Sequence, residues 1–174
     1  MKSLRYLSGL LILGFVAAGC GSDPVTSPSP SSTAKFTATL LPASEVPPVI
    51  GTEAGGSANA TFTFNLTKDS SGTITAATMD VTVSASGFPA GTALTASHIH
   101  PGASGTNGGI LVSLGLSAGE VTFANGSGSF TKQGVTLTVD EANSILSNPS
   151  GFYLNIHTAA NSGGVARGQL TRVQ

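Results

Sequence analysis

In the stretch SANATFTFNL, Ser57–Leu66, apolar side chains fall at Ala58, Ala60, Phe62, Phe64 and Leu66, with polar residues between them. A period of two marks a strand with one face on a core, because successive side chains point to opposite faces of a sheet. A helix would spread these five residues around its circumference. KFTATLL alternates the same way through Phe36, Ala38 and Leu40. In TITAATMDVTVSA the apolar positions start even, at Ile74 and Ala76, and become odd at Met79, Val81 and Val83. That change of parity predicts a β-bulge. Further strands are expected at 94–100, 109–114, 120–123, 128–132, 152–158 and 165–173.

Composition supports an all-β chain. Only 9 % of residues are charged, 23 are glycine and none is tryptophan. One segment departs from the pattern: in TVDEANSILSNP, Thr138 and Glu141 have capping-box spacing, and Ile145 and Leu146 can turn inward before Pro149. It reads as a short helix crossing between strands. Short strands with glycine-rich turns predict an antiparallel sandwich or barrel with Greek-key connections.

The amino-terminal region has a different composition. Lys2 and Arg5 precede an apolar run, Leu7–Gly19, too short to span a bilayer but suited to a signal peptide. The run ends in AAGC, which resembles a bacterial lipoprotein cleavage box with Cys20 as the lipidated residue. Cys20 is the only cysteine, so no intrachain disulfide is available. The expected layout is a signal peptide over 1–19, the lipidated cysteine and a Ser/Pro-rich tether over 20–34, and one domain over 35–174. This places the protein in the cell envelope, extracytoplasmic, with a lipid anchor as its only membrane contact. Gly21 and Ser22 favour the outer membrane where there is one. After residue 20 the chain carries five Lys/Arg against eight Asp/Glu. With no basic patch and no tryptophan, nucleic acid is not an expected partner.

The chain has three histidines, and two of them stand in SHIHPGASGTNGG. On a strand His98 and His100 share a face, their Cα atoms about 6.5–7 Å apart, close enough for both imidazoles to reach one ion. Ile99 between them would enter the core. In FYLNIHT the even positions Phe152, Leu154 and Ile156 read as the inner face, leaving Tyr153, Asn155 and His157 on the other. In VARGQLTRV the outer set is Val165, Arg167 and Gln169. If the three strands are neighbours, one outer face carries all three histidines. Imidazoles suit copper or zinc rather than calcium or magnesium, so two readings stand: a metal site at His98, His100 and His157 if His157 lies beside the pair, or strand histidines with no ligand. Asn155 and Gln169 are candidates for holding the imidazole tautomers. Arg167 is placed beside them, as a partner of the site or as a cross-link between strands. The loop PGASGTNGG reads as a turn that could aim backbone N–H groups at whatever the histidines hold. No G-x-S-x-G elbow, P-loop or H-E-x-x-H occurs, and nothing in the sequence marks Glu45 and Glu53, eight residues apart around a Pro-rich turn, as a glycosidase pair. No residue is assigned a catalytic role.

Three segments, FTATLLPASEVPPV, ASHIHPGASGTNGGILVSL and YLNIHTAANSGGVARGQL, resemble in order the chordin domain, CHRD, as found in exported bacterial proteins. The resemblance implies a Greek-key fold, immunoglobulin-like or similar to copper–zinc superoxide dismutases, and a module that binds partners. Three histidines are too few for a dinuclear dismutase centre. Where the family usually has an acidic residue before the Arg, this chain has Val165-Ala166, which questions any role needing a carboxylate beside Arg167. Three readings follow: a lipid-anchored binding module with a three-histidine metal site, a structural or adhesive domain for an extracellular protein or glycan partner, and a copper-dependent redox enzyme.

Overall fold

The structure, a computed structural model, describes residues 31–174. Signal segment, Cys20 and residues 20–30 of the tether lie outside the described residues. Two antiparallel sheets face each other. The first has the order β10-β1-β2-β3-β7, built from β1 (Ser31–Leu40), β2 (Ser57–Lys68), β3 (Ile74–Ser86), β7 (Gly128–Leu137) and β10 (Thr171–Arg172). The second runs β5-β4-β8-β9, from β4 (Thr92–Pro101), β5 (Val112–Ser113), β8 (Phe152–Thr158) and β9 (Ala166–Gln169), with β6 (Thr122–Phe123) also pairing β4. Three hairpin-connected strands, β1 to β3, are joined by a fourth, β10, that returns after a long excursion to lie beside β1. This is the Greek-key arrangement. The helix α1 (Val139–Ser147) connects β7 to β8, and among the described residues no helix is long and apolar enough to cross a membrane.

The alternating residues make the core as expected. Phe36, Phe62, Phe64, Met79 and Val81 of the first sheet meet Leu94, Ile99, Leu154 and Ile156 of the second, all buried. The described strands, the helix and the buried core between them form one continuous unit over residues 31–174, so this segment holds what a domain needs to fold by itself. Thr138 caps α1 through a full capping box with Glu141, and Ala142 and Ile145 turn inward.

Several expectations need correction. β1 starts at Ser31, four residues inside the expected tether, because Ser31–Ala34 extend the pairing with β2, and Ala34 is buried. The segment 165–173 is not one strand. It breaks at Leu170, where β9 leaves the second sheet and β10 enters the first. The strand expected at 109–114 is confined to Val112–Ser113. The bulge expected in β3 is present, with Thr75 unpaired between Ala76↔Thr67 and Ile74↔Lys68.

A second bulge decides where the site lies. In the β4–β8 pairing, Leu94 faces Thr158 and Ala96 faces His157, so Thr95 is an extra residue. Leu94 points into the core with even parity. After the bulge the core residues are Ser97 and Ile99, and His98 and His100 are turned to the opposite face.

Candidate metal centre

The three strands that carry the polar residues are neighbours. Across β4, β8 and β9 the rows read His98–Asn155–Arg167 and His100–Tyr153–Gln169, with His157 opposite Ala96. The outer face anticipated from parity is therefore real, but it is not a surface. His100 and His157 are buried and His98 is half-buried, while Asn155, Tyr153 and Arg167 are enclosed. Three connections cover the face: the segment after β1 that includes Glu45, the glycine-rich loop after β4, and the turn after β8.

These connections fix the ring tautomers. His100 Nδ1 lies 3.0 Å from the carbonyl oxygens of both Gly108 and Gly109, to which it can only donate. Its Nε2 is then a lone pair, buried and without any partner. His157 Nδ1 donates to the Ser162 carbonyl at 2.9 Å, so in the neutral ring its Nε2 is likewise a lone pair, and it faces the Asn155 Oδ1 acceptor at 2.9 Å with no hydrogen between them. That nitrogen stands 3.1 Å from His98 Nδ1. One ring nitrogen of each histidine lies within 4.8 Å of one from each of the others. Nitrogens sharing a tetrahedral ion at 2.0–2.1 Å sit about 3.4 Å apart. The cluster therefore needs only small ring rotations to close on a metal.

Charge works in the same direction. Burial pushes the His98 imidazole down to about 4, helped by the charges His157 and His100 would carry. Burial also lowers His157, against the raising effect of its Ser162 hydrogen bond. Both rings are neutral at neutral pH and offer lone pairs without proton competition.

The supporting residues differ from the sequence expectation. Backbone carbonyls, not side-chain amides, hold the tautomers. Asn155 Oδ1 approaches the inner nitrogen of His157, Nε2, at 2.9 Å, which places an oxygen donor beside the histidines rather than behind them. Gln169 touches no histidine; its Nε2 donates to the carbonyls of Gly102, Ser150 and Phe152. The glycine loop presents carbonyls to His100, the reverse of the N–H groups expected.

Arg167 is 1 % exposed and acts as a cross-link. Its Nε donates to Ser44 O at 2.6 Å, and its Nη1 to Thr106 O and Asn107 Oδ1 at 3.0 and 2.8 Å. The guanidinium lies 4.5 Å from the Tyr153 ring centroid, and Tyr153 stacks in turn on His100, 5.0 Å between centroids and 8° from parallel. One side chain thus ties the glycine loop, whose carbonyls hold His100, to the segment after β1. A family model for the CHRD domain matches residues 36–170. The chain belongs to the CHRD domain family. No curated protein and no solved structure shows a match to it.

Two acids carry signal that the sequence reading of this CHRD domain left unused. Glu53 accepts hydrogen bonds from Thr158 Oγ1 and Asn161 Nδ2, at 2.8 and 2.5 Å, anchoring the turn that bears the Ser162 carbonyl. Glu45 is buried near Arg167, so a carboxylate does stand in the neighbourhood of that Arg, contributed from over a hundred residues earlier. Burial raises the Glu45 carboxyl to about 7, against the opposing charge of Arg167. Pro-rich sequence hid both acids, because their partners are distant in the chain.

Proposed function

We propose that this CHRD domain is a lipid-anchored, extracytoplasmic binding module that holds one copper or zinc ion at His98, His100 and His157. The observation that carries the reading is the pair of fixed tautomers: carbonyls occupy Nδ1 of His100 and of His157, and His100 Nε2 is left buried with no partner. A buried nitrogen lone pair without a donor is unfavourable, and a soft or borderline cation is the group that three clustered imidazoles would take. Asn155 Oδ1 or water supplies a fourth donor. Cys20 carries the anchor, and the outer membrane is its place where the cell has one.

The 3.1 Å contact between His98 Nδ1 and His157 Nε2 supports a second reading, in which the histidines form a hydrogen-bonded strand cluster in a structural or adhesive domain for a protein or glycan partner. A copper redox enzyme requires the metal first. Titration of Cu²⁺, Cu⁺ and Zn²⁺ into metal-free protein separates these readings. One-to-one binding tighter than roughly 10 μM, about 7 kcal/mol, and its loss in His98→Ala/His157→Ala, supports the metal site. Weaker binding, or binding unchanged in the variant, leaves the structural reading. Replacing Cys20 by Ser should release the protein from the membrane fraction if the anchor is as proposed.

A further inference from the structure

Beside the histidines, with His100 in its lining, lies a cleft of about 700 Å³. The volume is that of a small-molecule site. One wall is the apolar run Val46–Ile50; His100, Tyr153 and Asn161 contribute elsewhere, and Glu45 is the one charged side chain in the lining. Neither lysine nor arginine lines it. Arg167, the nearby cation, is enclosed under Tyr153; its Nε and Nη1 go to loop acceptors, and its Nη2 is buried without a partner but is not part of the lining.

Glu45 is the unusual element. It is 6 % exposed, and its Oε1 is buried with no hydrogen-bond partner. Gly164, also in the lining, makes room for it: a Cβ there would run into Glu45 Oε1 and Asn155 Nδ2. A carboxyl kept unpartnered at the edge of a preformed cleft calls for a donor that arrives with a ligand. The apolar wall that continues from Glu45 selects the rest of that ligand. Pro47 and Pro48 have no N–H to offer and hold a fixed backbone, so the wall presents carbon. At its end Ile50 is 87 % exposed, a large apolar side chain with nothing over it.

We propose that this cleft binds a primary amine carrying an apolar body, the nitrogen on Glu45 and the body along Val46–Ile50. Free alkyl amines and the amino terminus of a peptide with an apolar first residue share this chemistry. An ammonium supplies three donors and the charge that answers a carboxylate. An anion of the same shape meets a carboxyl and no cation. The site requires no metal, so it stands or falls separately from the three-histidine reading.

Tyr153 is the only tyrosine in residues 31–174, and tryptophan is absent, so intrinsic fluorescence of this segment reports the cleft directly. Metal-stripped protein, residues 31–174, is titrated with n-hexylamine, with hexanoate and with Leu-Gly-Gly. The expected result is a saturable response to hexylamine at least tenfold tighter than to hexanoate, with Glu45→Gln abolishing the difference. Saturation by Leu-Gly-Gly as well assigns the peptide source; saturation by hexylamine alone assigns the free amine. No saturation by either amine, equal binding of hexanoate, or an unchanged Glu45→Gln overturns the proposal. Should Glu45→Gln not fold, Ile50→Ser alters only an exposed side chain: it is expected to weaken hexylamine severalfold while leaving methylamine unchanged, and no effect on hexylamine overturns the proposal.

Discussion

Replacing Arg167 by Met tests the claim that one buried guanidinium organises the site. The side chain is of similar length and apolar, so the change removes hydrogen bonds without opening a large void. Three acceptors lose their donor: Ser44 O, Thr106 O and Asn107 Oδ1. At about 1 kcal/mol for each charge-assisted hydrogen bond lost, a low value because Ser44, Thr106 and Asn107 are exposed residues whose acceptors water can reach, the loss is about 3 kcal/mol, and the stack on Tyr153 adds a fraction of a kcal/mol to that. Relief from burying a charge works the other way, and includes Nη2, which is buried with no hydrogen-bond partner; the three bonds made by Nε and Nη1 outweigh it. For a domain of this size, about 3 kcal/mol corresponds to a fall in Tm of roughly 10 °C. Arg167→Lys keeps the charge but not the fork, and is expected to fall between wild type and Arg167→Met. Because Arg167 holds the loop whose Gly108 and Gly109 carbonyls orient His100, zinc affinity should also drop about tenfold or more. Thermal unfolding followed by circular dichroism, with a zinc titration of each variant, reads both effects. A Tm for Arg167→Met within about 2 °C of wild type, or above it, would refute the reasoning, since the guanidinium would then not be holding the loops.

Other consequences are as direct. Gly168→Ala would drive a Cβ into the backbone carbonyl of Thr39, where β9 passes the end of β1; rigid backbone cannot yield, so a loss of about 2–3 kcal/mol is expected in urea unfolding. Thr138→Ala removes the cap from α1 and should cost about 1 kcal/mol by the same assay. Stability should respond to pH in two opposed ways. In the unfolded chain His98 protonates near 6.5 but in the folded protein only near 4, so the unfolded state binds more protons between these values and stability is lost as pH falls through that window. Glu45 has its folded value raised to about 7 from 4.5. The folded state therefore binds the extra proton, and stability is lost as pH rises through that interval. Urea midpoints against pH should show a weaker acid limb in His98→Asn, with His157 supplying what remains, and should lose the opposing limb in Glu45→Gln; an unchanged profile in either variant would contradict the assignment.

The strands were readable where side chains alternate without exception, as in β2, because burying one face leaves no other register. Parity alone also placed His98, His100 and His157 on one face. The bulge at Thr95 that makes this true was invisible, since Leu94 and Ala96 are both apolar and small enough to accept either face. The break at Leu170 was hidden for a related reason: alternation shows that residues are extended, not which sheet they join. Burial of the site could not be read at all. Arg167 looks like a surface residue on an outer strand face until Ser44, 123 positions earlier, arrives with the segment that covers it. Glu45 and Glu53 were similarly opaque, for each is buried by partners that only the fold supplies. The tautomers are set by carbonyls of glycines and a serine, which carry no sequence signature.

The most direct test of the central claim is X-ray absorption at the metal edge of zinc- or copper-loaded residues 31–174. The account predicts one ion with three imidazole nitrogens at about 2.0 Å and one oxygen donor, and the loss of one imidazole contribution in His100→Ala. A shell of oxygens with fewer than two imidazoles, or a spectrum unchanged by removing His100, would contradict it.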